Sequence, residues 1–480
     1  MINALLIFLA LVLCIAMLLF LPAMVAPFAA EIGHVGTSEV AKAILFGLVL
    51  TFFGALYARR QGKDGPFLLK LFIGAMLTRV LVGTIIFAFN AQDFFGGDAI
   101  TYDFFGYAQL KAWGGDRYFQ TLAGSFVGQG ESAGWGMVYV VAAVYGLLGR
   151  NMLAIQFVSC AFGAITPVVV FLCSQHVFSN LKVAKIAAFA TAFYPSLILW
   201  TSQGLKDGIV IFLLTFSILA TLKLGEKFRP RYVFMLVICL FGLLTFRFYV
   251  FYMLVAAIGG AFVIGMREVT GVSVFRQFAI LAVLGLSLTY LGVTRYASLS
   301  FQRFGNLESV QRTRVDLATA QSGFGRDVDV STAEGALMTI PLGLLYLLFA
   351  PFPWQVVSLR QSLTLPEMIV WWVSFPMLIL GLWYSIKFRL RMISPILTFT
   401  MMLSLAYSIF QGNVGTAYRQ RAQLLVFYFI FTAAGYVLVF EKREAKRLMS
   451  QASARPTGPP TGRQRELTIP PATTTSEPLS

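Results

Sequence analysis

Met152-Leu-Ala-Ile-Gln-Phe-Val-Ser-Cys-Ala-Phe-Gly-Ala-Ile-Thr-Pro-Val-Val-Val-Phe-Leu-Cys-Ser174 runs without one charged side chain. At ~1.5 Å per residue a helix of this length crosses the ~30 Å hydrocarbon core of a bilayer. Hydrocarbon offers the backbone no water, so a lone segment of this kind is stable only as a helix that closes its own hydrogen bonds. Comparable runs recur at about 3–25, 40–58, 67–89, 184–202, 207–224, 232–247, 249–266, 276–294, 366–386, 392–410 and 422–440. Composition agrees: 12% of the 480 residues are charged and 58% hydrophobic, with a mean hydropathy of +0.77, whereas soluble domains carry roughly a quarter charged residues. The expected fold class is an all-α polytopic integral membrane protein of about twelve transmembrane helices. Two shorter apolar stretches, 136–148 and 337–354, read as re-entrant or interfacial helices, because full spans there would break the charge alternation described next.

With the N-terminus in the cytoplasm, one face collects Arg59, Arg60 and Lys63; Lys182 and Lys185; Lys223, Lys227, Arg229 and Arg231; Arg267 and Arg276; Lys387, Arg389 and Arg391; and Lys442, Arg443, Lys446 and Arg447. That is the positive-inside pattern. The other face receives two long polar loops, about 90–136 and 295–337, and the short links around Lys206, Arg247 and Arg419. The first run, from about Ile2 to Phe28, lacks a basic n-region and is long for a signal-peptide core, so it reads as a retained helix. Three regions follow: 1–65 with two N-terminal helices, a 66–440 core, and a 441–480 tail that is basic and then rich in Pro, Thr, Ser and Gly, read as disordered and cytoplasmic.

The formal charge of +16 is spread over short clusters between apolar runs. This suits topology signals and anionic membrane lipid, and no nucleic-acid partner is expected. Cys14, Cys160, Cys173 and Cys239 all lie inside apolar runs and read as small core hydrophobes. His34 and His176 stand alone, without metal-ligand spacing, and no metal site is assigned. The chain holds no P-loop, no GxGxxG after a strand and no GxSxG elbow.

Three outer segments carry the candidate chemistry. The first is Asn90-Ala-Gln-Asp93-Phe-Phe-Gly-Gly-Asp98-Ala-Ile-Thr-Tyr102-Asp103. Asp98 and Tyr102 share a face of a helix starting near Asp98, and a carboxylate there is suited either to general-base work or simply to a helix N-terminus. The second is the corner Tyr194-Pro-Ser-Leu-Ile-Leu-Trp-Thr-Ser-Gln-Gly-Leu-Lys206-Asp207, whose ionisable pair faces a partner or a wet cavity, or else is a snorkelling Lys beside a capping Asp. The third is Gln411-Gly-Asn-Val-Gly-Thr-Ala-Tyr418-Arg419-Gln-Arg421, whose arginines suit phosphate oxygens. Arg247 and Arg326 are weaker candidates of that type; each can instead pair with a nearby outer-face carboxylate, and for Arg247 that pairing is the favoured reading. Ile340-Pro-Leu-Gly through Pro351-Phe-Pro-Trp354 reads as a groove for an isoprenoid tail or a lipid-facing interfacial helix.

In order and spacing over roughly 66–440, these residues resemble the GT-C superfamily, in particular bacterial relatives of protein O-mannosyltransferases and of the aminoarabinose transferase. The resemblance rests on Asp98-xxx-Tyr102, Tyr145-Gly-Leu-Leu-Gly-Arg-Asn151, the span from Ala154, the Tyr194 to Asp207 corner and Tyr418-Arg419-Gln-Arg421. It implies a glycosyltransferase with a polyprenyl-phosphate-linked sugar donor, an outer-loop base carried onto Asp98, and a second acidic corner at Asp207. Many relatives have Asp-Glu where this chain has Asp98-Ala99, which leaves Asp103 as the reserve base. Tyr102, Lys206, Asp207, Arg247, Arg326, Arg419 and Arg421 are the expected substrate-binding set. The acceptor is a glycan, lipid or protein, no cofactor is specified, and a divalent cation, Mg or Mn, stays open. The expected setting is a bacterial inner membrane with the site facing the periplasm, within or beside a polysaccharide-assembly complex. Residues 337–440 also look like proteins of exopolysaccharide assembly, which keeps a Wzy-type repeat-unit polymerase as an alternative on Arg312, Arg314 and Arg326. A lipid-linked glycan transporter is the other alternative, with Lys70 and Arg79 as its intramembrane charges.

Overall fold

The structure is a computed structural model; it describes residues 37–95, 97–128, 134–264 and 271–453. The apolar run at 3–25 and the tail beyond 453 lie outside the described residues. Every named element among them is helical, and six helices are long and apolar enough to cross a membrane, or up to eight if each of two bent pairs is one span. The chain is thus an all-α, multi-pass membrane protein. The count is below twelve partly because the first run is not described, and partly because Pro230–Phe246 and Phe248–Ile264 have only 17 residues each. Residues 392–410 are also joined to 366–386 in a single 46-residue helix, Leu365–Phe410.

That long helix is a hairpin. Tyr428 stacks on Trp371, with ring centroids 6.2 Å apart, and shares a 2.7 Å hydrogen bond with Ser404 Oγ. In a straight helix those two residues would be separated by about 50 Å. The chain reverses at Arg389, the one residue inside the helix reported with non-helical dihedrals. Its two halves therefore fall where the sequence puts separate spans.

Met152–Phe178 is the helix around which the first unit, Met1–Val437, is organised. It packs against Thr37–Arg59, Gly65–Ala88, Leu181–Phe193 and Asp207–Glu226. Small residues let backbones close in, as packing in lipid favours. A Cβ on Gly208 would lie 2.7 Å from Ser159 O, and one on Gly163 would lie 2.5 Å from Thr201 Oγ1. The second unit, Leu438–Ser480, is helical over its described part, to Ser453.

The Tyr194 to Asp207 corner begins with a broken helix: Leu181–Phe193 and Pro195–Thr201 meet at 54°. Tyr194 takes an extended conformation and Pro195 opens the second piece, as expected of the residue before a proline and of a proline in the first turn. Arg79, one of the two intramembrane charges noted in the sequence, is 1% exposed. It donates to Ala75 O at 3.0 Å, to Ala192 O at 2.9 Å and to Thr201 Oγ1 at 2.8 Å. Its place in the fold is to satisfy a carbonyl freed by the break.

Candidate functional site

Gly97 adopts a positive φ of 71° and turns the chain into the helix Asp98–Trp113, so that Asp98 stands in its first turn. Asp207 opens the span Asp207–Glu226, Arg247 lies in the break between Pro230–Phe246 and Phe248–Ile264, and Arg419 sits in the second turn of Val414–Ser453. Four segments distant in sequence thus deliver two carboxylates and two guanidinium groups to one point.

Arg419 uses its whole fork there. Nη1 donates to Asp98 Oδ2 at 2.5 Å, while Nε and Nη2 donate to Asp207 Oδ2 at 2.9 and 2.6 Å. Arg247 Nη2 donates to the other oxygen, Asp207 Oδ1, at 2.7 Å, and its Nη1 donates to Tyr249 OH at 3.0 Å. The Arg419 guanidinium lies over the Trp200 ring, 5.3 Å from its centroid. The two carboxylates differ in one respect that matters: the Asp207 side chain is 1% exposed and that of Asp98 45%. Asp207 is a fixed internal counter-ion, whereas the Asp98 side chain is exposed.

The formal charges of the two Asp and two Arg cancel, and Lys206 adds to them. Its ammonium lies 5.9 Å from the centroid of the Tyr102 ring. Burial, and then the nearby Arg247 charge, hold the Lys206 pKa down at about 7. Near neutral pH the charges of the site are therefore close to balance.

Of the residues singled out in the sequence, Asp98, Tyr102, Lys206, Asp207, Arg247 and Arg419 lie together. Three other expected residues have different partners. Asp103 is held by Arg150, which forms an ion pair with Oδ2, and by the Tyr145 hydroxyl at 2.5 Å. Arg421 is 1% exposed; it donates to Leu347 O at 2.6 Å and also to Ala350 O, and so ties down the start of the Pro351 to Trp354 segment. Arg326 Nε donates to Ala318 O at 3.0 Å inside the polar loop 295–337.

That loop clasps the link before Arg419. Phe324 N donates to Gly412 O at 2.7 Å and Val414 N to Ser322 O at 3.0 Å, around a bridge between Gly323 and Asn413. Arg314 is buried and donates to Ile409 O at 2.9 Å and Gln411 O at 2.5 Å. Two of the arginines that kept the polymerase alternative in view are thus bonded to main-chain carbonyls. No three His, Cys, Asp or Glu side chains gather to hold a metal among the described residues. Asp98 and Asp207 are both engaged by arginine, so a divalent cation does not fit this donor set without breaking those pairs.

Glu367 and Arg150 escaped sequence reasoning. Glu367 did leave a signal, being an acid at the head of an otherwise apolar run. Arg150 stands in the Tyr145 to Asn151 motif, but nothing in that motif marked it as the partner of Asp103.

The site thus belongs to an all-α, multi-pass membrane protein and lies where its helices break. No family model matches the chain, and no curated protein matches it. Among solved structures it is similar to the archaeal oligosaccharyltransferase AglB from Archaeoglobus fulgidus, determined in complex with an inhibitory peptide and a dolichol-phosphate. The identity is 14% and the TM-score 0.37, over 68% of this chain and 44% of that one. This chain therefore spans less than half of that protein's length, and the functional reading rests on the site's own geometry.

Proposed function

We propose that the chain is a membrane glycosyltransferase that takes a sugar from a polyprenyl-phosphate carrier at the outer face of a bacterial-type inner membrane. The observation that carries the reading is the single guanidinium of Arg419 shared between an exposed and a buried carboxylate. A phosphate monoester or diester matches such a fork as a carboxylate does. When the lipid phosphate arrives it competes with Asp98 for Nη1, while Asp207 keeps Nε and Nη2 in place. Asp98 is then released as a free carboxylate beside the anomeric carbon.

In the transfer step Asp98 takes the proton of the acceptor hydroxyl as its oxygen bonds to the anomeric carbon. The bond from that carbon to the phosphate oxygen breaks and its electron pair leaves with the lipid phosphate. Arg419, with Lys206 nearby, offsets the charge that grows on the leaving oxygen, in a setting where low dielectric strengthens the contact. Asp103 has no part in this scheme, because Arg150 and Tyr145 already hold it.

The test is to replace Asp98 and Asp103 singly by Asn and to assay surface glycan in cells that depend on the protein. Loss with the first and retention with the second is expected. Full activity in both variants would remove the first outer loop from the chemistry.

A further inference from the structure

In an unbroken helix the Ser196 N–H would donate to Ala192 O. The break at Tyr194-Pro195 separates the two groups. Ala192 O takes Arg79 Nη1 at 2.9 Å, and the Ser196 N–H goes to a buried carboxylate, Glu367 Oε2, at 2.6 Å. Glu367 is 6% exposed in the first turn of Leu365–Phe410. The same Oε2 accepts the Tyr418 hydroxyl at 3.0 Å, and Tyr418 directly precedes Arg419.

One oxygen atom therefore joins three elements: the broken corner that carries Trp200 and leads to Asp207, the head of Leu365–Phe410, and the helix that carries Arg419. We infer that Glu367 is a positioning residue, which fixes the rotation of the Arg419 helix relative to the corner and so holds the guanidinium over Trp200 and against Asp207. Successive side chains on a helix point about 100° apart, so pinning Tyr418 sets the direction of Arg419. A rotation of about 10° would move a guanidinium ~7 Å from the axis by about 1 Å, enough to spoil a two-point fork. One carboxyl oxygen has the lone pairs to take two donors at once, and that placement is the task of this buried group.

The inference rests on the reading of the site as one that binds a lipid phosphate, and the experiment separates the two. Full-length protein in phosphatidylethanolamine/phosphatidylglycerol nanodiscs is titrated with undecaprenyl phosphate, followed by tryptophan fluorescence, since Trp200 lies under the guanidinium. Glu367→Ala is expected to bind about tenfold more weakly, and Glu367→Gln, which keeps an acceptor oxygen in place, within about twofold of the unaltered protein. Tyr418→Phe retains the Ser196 contact, keeps its unfolding temperature and binds about threefold more weakly; it decides the matter if Glu367→Ala does not fold. If Gln rescues nothing, charge rather than bond geometry is at work and the inference is overturned. It is overturned on its own if Arg419→Ala abolishes binding while Glu367→Ala and Tyr418→Phe bind normally. If Arg419→Ala binds normally, the phosphate reading falls first.

Discussion

Arg419→Lys keeps the charge and discards the fork, which separates geometry from electrostatics at this site. The arginine makes three charge-assisted hydrogen bonds of 2.5, 2.6 and 2.9 Å to two carboxylates. A lysine ammonium on a shorter reach can serve one carboxylate well, so at least one such bond is lost, at about 1.5–3 kcal/mol. If the same geometry holds the lipid phosphate during transfer, the rate falls by about tenfold to a hundredfold. Stability should fall less, because the exposed Asp98 returns to water at little cost when it loses its partner. The assay is transfer from a lipid-linked sugar by protein in proteoliposomes, read beside the thermal midpoint. A Lys variant within about twofold of the original rate would mean that a point charge suffices, and the fork argument would fail.

Four further outcomes follow from the same structure. Asp103→Asn should lower stability by about 1–3 kcal/mol, since it weakens the pairing with Arg150 and Tyr145, and leave transfer unchanged; a transfer defect at full stability would return Asp103 to the chemistry. Arg421→Ala should cost about 3 kcal/mol through the abandoned carbonyls of Leu347 and Ala350, measurable by denaturation, with Arg419 still able to bind phosphate. Lys206 has its pKa depressed from 10.5 to about 7 in the folded state. Across that window the unfolded chain holds a proton that the folded chain lacks, so stability should rise with pH from about 7 to 10.5 and the rise should flatten in Lys206→Met. Gly208→Leu should prevent folding or cost several kcal/mol, because even a Cβ there lies 2.7 Å from Ser159 O.

Much of the scaffold was legible because the physics that dictates it is one-dimensional. Run length and charge alternation located the spans, and the Lys387, Arg389 and Arg391 cluster marked the reversal that the structure makes at Arg389. The Tyr194 to Asp207 corner was read as the meeting of two spans, whereas the break the structure makes at Tyr194-Pro195 falls inside one expected span, 184–202; Asp98 and Arg419 were expected to converge, and they form an ion pair. What could not be read was the direction of individual side chains. Arg419 and Arg421 look alike in sequence, but two residues on a helix are about 200° apart, so one faces the carboxylates while the other turns to main-chain carbonyls. Arg247 was read as more suited to a carboxylate partner than to phosphate, and it is the second partner of Asp207; which carboxylate it takes was hidden. Its pairing spans 40 positions and involves two irregular links that no periodicity describes. The tie from Asp103 to Arg150 is hidden for the same reason.

The proposed exchange of Asp98 for lipid phosphate on Arg419 makes two effects of one substitution run in opposite directions. Asp98→Asn removes the competitor for Nη1 and the base together. Titrated with undecaprenyl phosphate in nanodiscs, this variant is expected to bind about tenfold more tightly than the original while transferring no sugar. Unchanged or weaker binding, or transfer that survives, would contradict the account.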